Sequence, residues 1–445
     1  MNKKLQEFNE RLKNSKIAII GIGVSNLPLL DYLYDLKCDV TIFSDTPITE
    51  DLSKYNYQIY EGEHALAQMI GFDIIFRSPG CLPSRIEIQD EIARGAYVTT
   101  EVAEVIKLTE AKVIGVTGSD GKTTTTTLID LVLRENGYNT FLGGNIGTPL
   151  FTKIKDMKKE DIVVLELSSF QLMDMNVSPD ISIITNISPN HLDKHKDLDE
   201  YINSKFNIFK HKDGILVINK DNDITKDIKS SREIRYFSRS QETNAFYLED
   251  NHICFNGKKL INCNRFILKG IHNYENICTC MSAIYDMVDV DKSLDILTRF
   301  KGIEHRLEFV KEINGVKWYN DSVSSSPTRT IAGINSFDED IVLIAGGYDK
   351  NLDYTPLAEA MVGKVTKLIL FGDTKEKIYD AVQSIEELKD INIYQEKDLE
   401  HVVKRAYFVA DLHEIVLFSP ASASFDMFKN FADRGRQFKD LVNRL

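Results

Sequence analysis

Between Lys112 and Asn136 the chain reads KVIGVTGSDGKTTTTTLIDLVLREN. The residue types able to do chemistry here are Gly118, Ser119, Asp120, Gly121, Lys122, Thr123 and Thr124. An apolar run (Val113, Ile114, Val116) enters this small-residue turn, and a helix-like pattern (Leu128, Ile129, Leu131, Val132, Leu133) leaves it. A strand that feeds a glycine turn opening a helix aims backbone N–H groups and the positive end of the helix dipole at one point, which attracts phosphate. Lys122 adds a mobile cation for the β- and γ-phosphates, and the Thr123 hydroxyl is of the type that binds their Mg²⁺. The longer phosphate-loop pattern wants a glycine where Val116 stands, so the match is to a shorter form, Thr117 to Thr124. The bland alternative is an ordinary strand-to-helix turn; Gly, Gly-Lys and Thr falling together at this junction favour a triphosphate cradle.

Two more candidates follow strand-like runs. DIVVLELSSFQL reads as a buried strand with Glu166 at the edge from which α/β sheets present groups to ligands, and a carboxylate there can complete the Mg²⁺ shell begun by Thr123. DISIITN is a further strand, followed by ISPNHLD with His191. A lone Glu is more often a solvated charge and a lone His a structural residue, but both follow strand ends, as the phosphate loop does.

Earlier in the chain, KIAIIG runs into Gly21-Ile22-Gly23-Val24-Ser25-Asn26 and a helical pattern, and VTIFSD ends a second strand at Asp45. A nucleotide-binding fold often places an acidic residue about twenty positions past its glycines. Asn26 stands where a third glycine would be, which weakens a dinucleotide reading and leaves open that Gly21 and Gly23 only permit a tight turn.

The elements that must hold these residues are α/β throughout. At roughly 150 residues per domain, 445 residues suggest about three domains. One runs over 1–101, with the strand DIIF, Ser78-Pro79-Gly80 and a helix to Arg94. The second, 102–301, restarts with the phosphate-loop strand and continues through Thr140–Leu142 and the loop Gly143-Gly144-Asn145-Ile146-Gly147. It adds an antiparallel patch between Asn244 and Lys269 with turns at Asp250-Asn251 and Asn256-Gly257, then helices over Asn273–Val288 and Ser293–Phe300. The third, 302–445, has a hairpin turning at Asn314-Gly315 and strands IVLIAGG, KLILFG and EIVLFSP. No repeat of 20 to 50 residues is seen.

A balance of 54 Lys+Arg against 67 Asp+Glu, formally −13, gives no basic footprint for nucleic acid. The polar start MNKKLQEFNERLKN and the lack of a long apolar run point to a cytoplasmic chain without membrane insertion. Six scattered cysteines with no CxxC pair do not suggest zinc or disulfides.

In this order, TGSDGKTT, GGNIG, ELSSFQ, NISPNHLD, GIHNYEN, EHRLE, NDS, IAGG and SPASASFDMFKNFADRG make the chain resemble the Mur ligases of peptidoglycan synthesis over almost its whole length. Among them it is most like the type that adds D-glutamate to UDP-N-acetylmuramoyl-L-alanine. The resemblance implies a Rossmann-like UDP-binding N-terminal domain, a P-loop ATPase-like central domain and a Rossmann-like C-terminal domain that swings to close the site. It also implies a monomeric enzyme that uses ATP and two Mg²⁺ ions to phosphorylate a carboxylate, which an amine then attacks. Lys122, His191 and Lys205 would be catalytic, and Thr123, Glu166, His191 and Lys205 would hold metal. Lys205, in YINSKFNIF, matches a lysine that the family carbamylates; read from the residue alone it is a solvated helix lysine. Asn273, Arg306 and Asp321 match the nucleotide side. Val24, Ser25, Asp45, Thr46, Ser78, Asn145, Ser168 and Gln171 match the UDP-substrate side, and Ser325, Lys350, Ser424 and Phe431 the amino-acid side.

Two departures bear on specificity. Val323 stands where a lysine is expected near the amino acid, and Pro47 where an arginine often follows the Asp-Thr pair of the uridine site. The competing readings are a ligase of the same superfamily that adds another amino acid or extends folate, a nucleotide-dependent regulator, and a dinucleotide oxidoreductase. Glu166, His191 and Lys205 argue against the last two, because neither needs a second metal-binding group.

Overall fold

The computed structural model describes residues 2–445 apart from 24, 49, 190–194 and 351. It forms two compact units, Met1–Phe300 and Lys301–Leu445.

The first unit carries two parallel sheets. One contains β1 (Lys16–Ile20), β2 (Asp39–Ser44), β3 (Gln58–Glu61), β4 (Ile74–Arg77) and β5 (Tyr97–Thr99), in the order β3-β2-β1-β4-β5. The other contains β6 (Lys112–Thr117), β7 (Thr140–Gly144), β8 (Ile162–Glu166), β9 (Ile181–Ile184), β10 (Ile215–Asn219) and β11 (Glu233–Phe237), in the order β11-β10-β9-β6-β8-β7. Strands such as KVIGVT and IVVLE are unbroken apolar runs because helices cover both faces, as parallel sheets require. One apolar core passes from Leu5 and Phe8 through Ile17, Phe76 and Phe151 to Leu165 and Leu216, so the two sheets share it. The opposite face of the second sheet packs Val116 and Val164 against Leu128, Ile277 and Met281.

The expected antiparallel patch is a three-stranded sheet, β12 (Phe246–Glu249), β13 (His252–Phe255) and β14 (Lys258–Asn262). Its turns carry left-handed pairs, Asp250-Asn251 at φ 45° and 58° and Asn256-Gly257 at φ 52° and 71°, which match the right-handed strand twist.

The second unit is one six-stranded sheet: β15 (Glu308–Ile313), β16 (Val316–Asn320), β17 (Ile341–Gly346), β18 (Val365–Phe371), β19 (Asn392–Gln395) and β20 (Ile415–Phe418), in the order β15-β16-β20-β17-β18-β19. Only the β15–β16 hairpin is antiparallel, around Asn314-Gly315 at φ 51° and 78°. The run IVLIAG divides with period two: Ile341, Leu343 and Ala345 enter one core, Val342 and Ile344 the other.

Two segments differ from the sequence reading. In DIVVLELSSFQL the strand stops at Glu166, and Ser169–Leu172 is a helical turn. Ser168 and Gln171 form a capping box there, which satisfies N–H groups that a continued strand would have offered to a neighbour. The helices expected over Asn273–Val288 and Ser293–Phe300 run over Ile271–Ile284 and Val290–Thr298. Among the described residues, no helix is long and apolar enough to cross a membrane.

Candidate active site

The turn between β6 and the helix Lys122–Glu135 is built so that only glycine fits at two points. Gly118 has φ 150°, and a Cβ there would lie 1.9 Å from Thr185 Oγ1; Gly121 has φ 76°, and its Cβ would lie 2.3 Å from Asn276 Oδ1. The loop is fixed from β9's C-terminal end: Ser119 N donates to Asn186 O (2.9 Å) and Asp120 N to Asn186 Oδ1 (2.9 Å). Ser119 Oγ donates to Ser188 O (2.9 Å) and lies 2.9 Å from Tyr201 Oη. Lys122 folds back over the loop, its Nζ donating to Gly118 O (2.9 Å) and Ser119 O (2.8 Å). Thr123 and Thr124 occupy the first turn of the helix, where N–H groups have no partner within the helix.

Glu166 ends β8 on the same sheet edge and is only 2% exposed. Its Oε1 accepts from Asn145 Nδ2 (2.8 Å), and the Asn145 N–H donates to Glu166 O (2.8 Å). Oε2 is buried and has no hydrogen-bond partner among the described residues. A buried carboxylate oxygen in that state costs about 1–3 kcal/mol, and a cation is the partner its chemistry suits.

Lys205 reaches the same loop from the helix Leu198–Phe206. It is 2% exposed, its Nζ donates to Gly118 O (2.8 Å), and it sits 4.7 Å from the centre of the Tyr201 ring. No described carboxylate pairs with it. Burial, reinforced by the Lys122 charge and opposed by Asp120 and Glu166, pulls its pKa down to about 7. Two amines, Lys122 and Lys205, thus converge on one carbonyl. His191 lies outside the described residues. Four residues on, His195 is buried, with Nε2 3.0 Å from Ser169 Oγ and its ring stacked on Phe170.

Ser168 and Gln171 direct their polar groups at each other: Ser168 Oγ donates to Gln171 Oε1 (3.0 Å), and Gln171 N to Ser168 Oγ (3.3 Å). On the first sheet, Ser25 caps the helix Asn26–Asp35 without a side-chain capping bond, and Ser78 packs against Gly21, whose added Cβ would lie 2.7 Å from Ser78 Oγ. Asp45 pairs with Arg85, and the Thr46 carbonyl accepts from Ser44 Oγ (2.7 Å). Val24 lies outside the described residues. Asn273, near the start of the helix Ile271–Ile284, donates to Lys269 O (2.7 Å).

In the second unit, Asp321 follows β16 and is buried. It accepts from the Leu307 N–H (3.2 Å) and Ser419 Oγ (2.7 Å). Burial raises its pKa, opposed by hydrogen bonds from Ser324, Ser419 and Leu307 and by Arg306. Ser325 N donates to Val323 O (2.9 Å). Beyond β17, Lys350 lies 5.9 Å from the ring centre of Phe425. Ser424 is buried, and its carbonyl accepts from Phe428 N (2.9 Å). Phe431 is half exposed, and its carbonyl accepts from Ser322 Oγ (2.8 Å).

Compared with known proteins, residues 116–284 match the Mur ligase middle domain and residues 305–422 the Mur ligase glutamate ligase domain. A Clostridium botulinum (strain Langeland) protein named UDP-N-acetylmuramoylalanine–D-glutamate ligase is 44% identical, with all of both chains covered. The chain belongs to the Mur ligase family. The fold is also that of solved Mur ligases. UDP-N-acetylmuramate–alanine ligase MurC of Thermotoga maritima aligns at TM-score 0.59 and 19% identity, covering 97% of this chain and 99% of that one. MurF ligase of the same organism, in complex with ADP, aligns at TM-score 0.52 and 18% identity, covering 98% and 96%.

Several residues that organise this Mur ligase chain escape a residue-by-residue reading. Asn186 and Tyr201 brace the phosphate loop, and Asn276 packs on Gly121. Arg434 is wholly buried under the loop after β20, donating to Ser322 Oγ (3.0 Å) and to the carbonyls of Ser322 (2.9 Å), Ser422 (3.0 Å) and Ala423 (2.9 Å). Burial lowers its pKa to about 10. For Arg434 the available signal was a charged side chain on the same helix face as Phe438 and Val442.

Proposed function

We propose that the chain uses ATP to join D-glutamate to UDP-N-acetylmuramoyl-L-alanine in peptidoglycan precursor synthesis, through an acyl phosphate. The full-length 44% identity to a ligase of that name carries this reading. The convergence of Lys122 and Lys205 on the Gly118 carbonyl beside a buried Glu166 supports it.

A free carboxylate is a poor electrophile, and phosphorylation gives it a leaving group. The chain must therefore bring two anions together and offset the charge that develops. The turn Gly118–Thr124 offers N–H groups and a helix N-terminus to the triphosphate, and Lys122 leaves its two carbonyl partners to neutralise the transferred phosphate. Thr123, Glu166, His191 and Lys205 are assigned to two Mg²⁺ ions; Glu166 Oε2, buried with no hydrogen-bond partner among the described residues, fits a cation. Mg²⁺ held there would shield the phosphate oxygens from the incoming carboxylate. An ammonium cannot ligate a cation, so Lys205 acts as its CO₂ adduct. Its neutral amine adds to CO₂, an N–C bond forms, a proton leaves, and a carboxylate takes the place of a buried cation.

Residues 1–101 are assigned to the UDP end of the acceptor through Val24, Ser25, Asp45, Thr46 and Ser78, with Asn145, Ser168 and Gln171 facing the remainder. Residues 102–301 are assigned to ATP, with Asn273, and with Arg306 and Asp321 of the second unit as nucleotide ligands. Residues 302–445 are assigned to D-glutamate through Ser325, Lys350, Ser424 and Phe431. An enzyme that consumes ATP and a UDP-linked precursor works in the cytoplasm, and we assign it as a monomer.

The test is phosphate release by the purified chain with ATP, UDP-N-acetylmuramoyl-L-alanine and a panel of amino acids. Turnover is expected only with both acceptor and D-glutamate, together with a product of the mass of the amide. Turnover without acceptor, or preference for L-glutamate, lysine or diaminopimelate, would refute the assignment.

A further inference from the structure

An ion pair crosses from the first sheet of the first unit to the second without touching any group assigned to phosphate or metal. Arg77, the last residue of β4, is 1% exposed. Its Nε donates to Asp174 Oδ2 (2.8 Å), and Nη2 donates to Asp174 Oδ1 and to Phe170 O (3.0 Å). Nη1 donates to Cys81 O (3.1 Å) and, more weakly, to Ser78 O (3.4 Å). All five guanidinium N–H groups are used, and the contact to Asp174 is the bidentate fork that fixes direction as well as distance.

Burying an arginine to reach a partly exposed carboxylate is a poor way to gain stability, because a well-packed apolar residue of similar size in its place does as well or better. What the fork does supply is geometry. On one side it grips the turn Ser78–Cys81, which carries a residue assigned to the UDP end of the acceptor. On the other it holds the helical turn Ser169–Leu172, through the Phe170 carbonyl and through Asp174 two residues past its end, and this turn begins three residues after Glu166. The same turn is held from its far side by Asn207, two residues from Lys205, which donates to Leu172 O (2.9 Å) and Met173 O (3.2 Å). The two edges of a long substrate site are thereby joined through a short series of side-chain bonds.

Resting on the function proposed above, we propose that Arg77 and Asp174 are positioning residues. They set the spacing between the edge that takes the nucleotide end of the acceptor and the edge where its carboxylate reacts. A ligand that engages two sites at once gains from their fixed separation, and it loses that gain when the separation wanders. A fragment that reaches only one edge is indifferent to it.

Calorimetric titration of the full chain with UDP and with UDP-N-acetylmuramoyl-L-alanine, together with steady-state kinetics, separates these cases. The variants are Arg77→Ala, Arg77→Lys, which keeps the charge but not the fork, and Asp174→Asn, which keeps an acceptor at a partly exposed position. UDP affinity and the ATP KM are expected to stay within about twofold of wild type, while acceptor affinity falls about tenfold and acceptor KM rises in step. Arg77→Lys should fall between wild type and Arg77→Ala. Folded variants with unchanged acceptor affinity would overturn the proposal, as would a parallel loss of UDP, ATP and acceptor binding, which marks a general structural role. A wild-type chain that binds UDP but not the acceptor would overturn the functional reading itself, and the positioning role with it.

Discussion

Replacing Glu101 by Gln should stabilise the first unit at pH 8 and change it little at pH 5. Glu101 opens the helix Glu101–Leu108 that joins the two sheets, and its buried Oε1 accepts the N–H groups of Leu150 (2.8 Å) and Phe151 (2.7 Å). Burial raises its pKa from 4.5 to about 7, against the opposing pull of those two N–H groups. The folded state therefore holds a proton that the unfolded chain releases earlier. The stabilisation from that proton is complete below pH 4.5, is lost as pH rises toward 7, and is gone above it. At about 1.4 kcal/mol per pH unit, the loss comes to about 3 kcal/mol over the whole window and about 2–3 kcal/mol between pH 5 and 8. Gln keeps the oxygen that both N–H groups use and has no charge to bury at any pH. Urea unfolding followed by far-UV circular dichroism at pH 5 and pH 8 measures the difference between variant and wild type, and effects of other titrating groups cancel in it. A difference equal at the two pH values would refute the reasoning, and one larger at pH 5 would reverse its sign.

Lys122→Ala should lower ligation by at least about a hundredfold, as loss of a group that offsets transition-state charge does, with the circular dichroism spectrum unchanged; near wild-type turnover would remove it from the cradle. Lys205→Ala should abolish activity, and acetate or formate should restore part of it by filling the vacated oxygen-ligand position; failure of every short carboxylate to restore activity counts against the carbamate. Lys350→Ala should raise the D-glutamate KM by about ten- to a hundredfold, the cost of a charge-assisted contact, and leave the ATP KM alone. With Val323 in place of an expected lysine, an unchanged D-glutamate KM would show that Lys350 does not carry the charge recognition.

What could be read from residues was whatever a single local pattern decides. KVIGVT and IVLIAG are strands because continuous Val/Ile runs suit a sheet covered on both faces, and Asn314-Gly315 turns a hairpin because both residues tolerate left-handed backbone. Glu166 was legible as a strand-end carboxylate on the ligand-facing edge, but the helical turn after it was not, because SSFQ is compatible with either state until Ser168 and Gln171 cap each other. Lys205, a solvated helix lysine when read from the residue alone, is buried, and only the family resemblance marks it as a candidate site residue. On the helix Leu198–Phe206, Tyr201 is buried in the apolar core and Leu198, Ile202 and Phe206 pack against it, so Lys205 lies on the face the apolar residues mark, and only its charge argued for solvent. Arg77 was invisible for a related reason. A charged residue ending an apolar strand looks solvated, and its partner Asp174 is distant in sequence, so nothing local shows that a second sheet covers it.

Several local rules are broken around Gly118, and together they make one chemical argument. Lys205 is a buried lysine without a described carboxylate partner, and Glu166 Oε2 and Thr117 Oγ1 are buried with no hydrogen-bond partner among the described residues. Each of the last two costs about 1–3 kcal/mol, and a leucine or methionine at position 205 would cost less than a buried cation. Chains tolerate such conflicts where function requires the groups. Lys205 and Glu166 do not neutralise each other directly, since Lys205 donates to the Gly118 carbonyl and Glu166 Oε1 is taken by Asn145. Under the proposed reading, CO₂ addition turns the Lys205 cation into an anion on the same sheet edge as Glu166. Those two anions then repel unless divalent cations lie between them and the phosphates, so the carbamate and the metal ions favour each other's presence. In that scheme Lys122 alone keeps its positive charge at the loop, and it stands at the helix N-terminus where the transferred phosphate would be held.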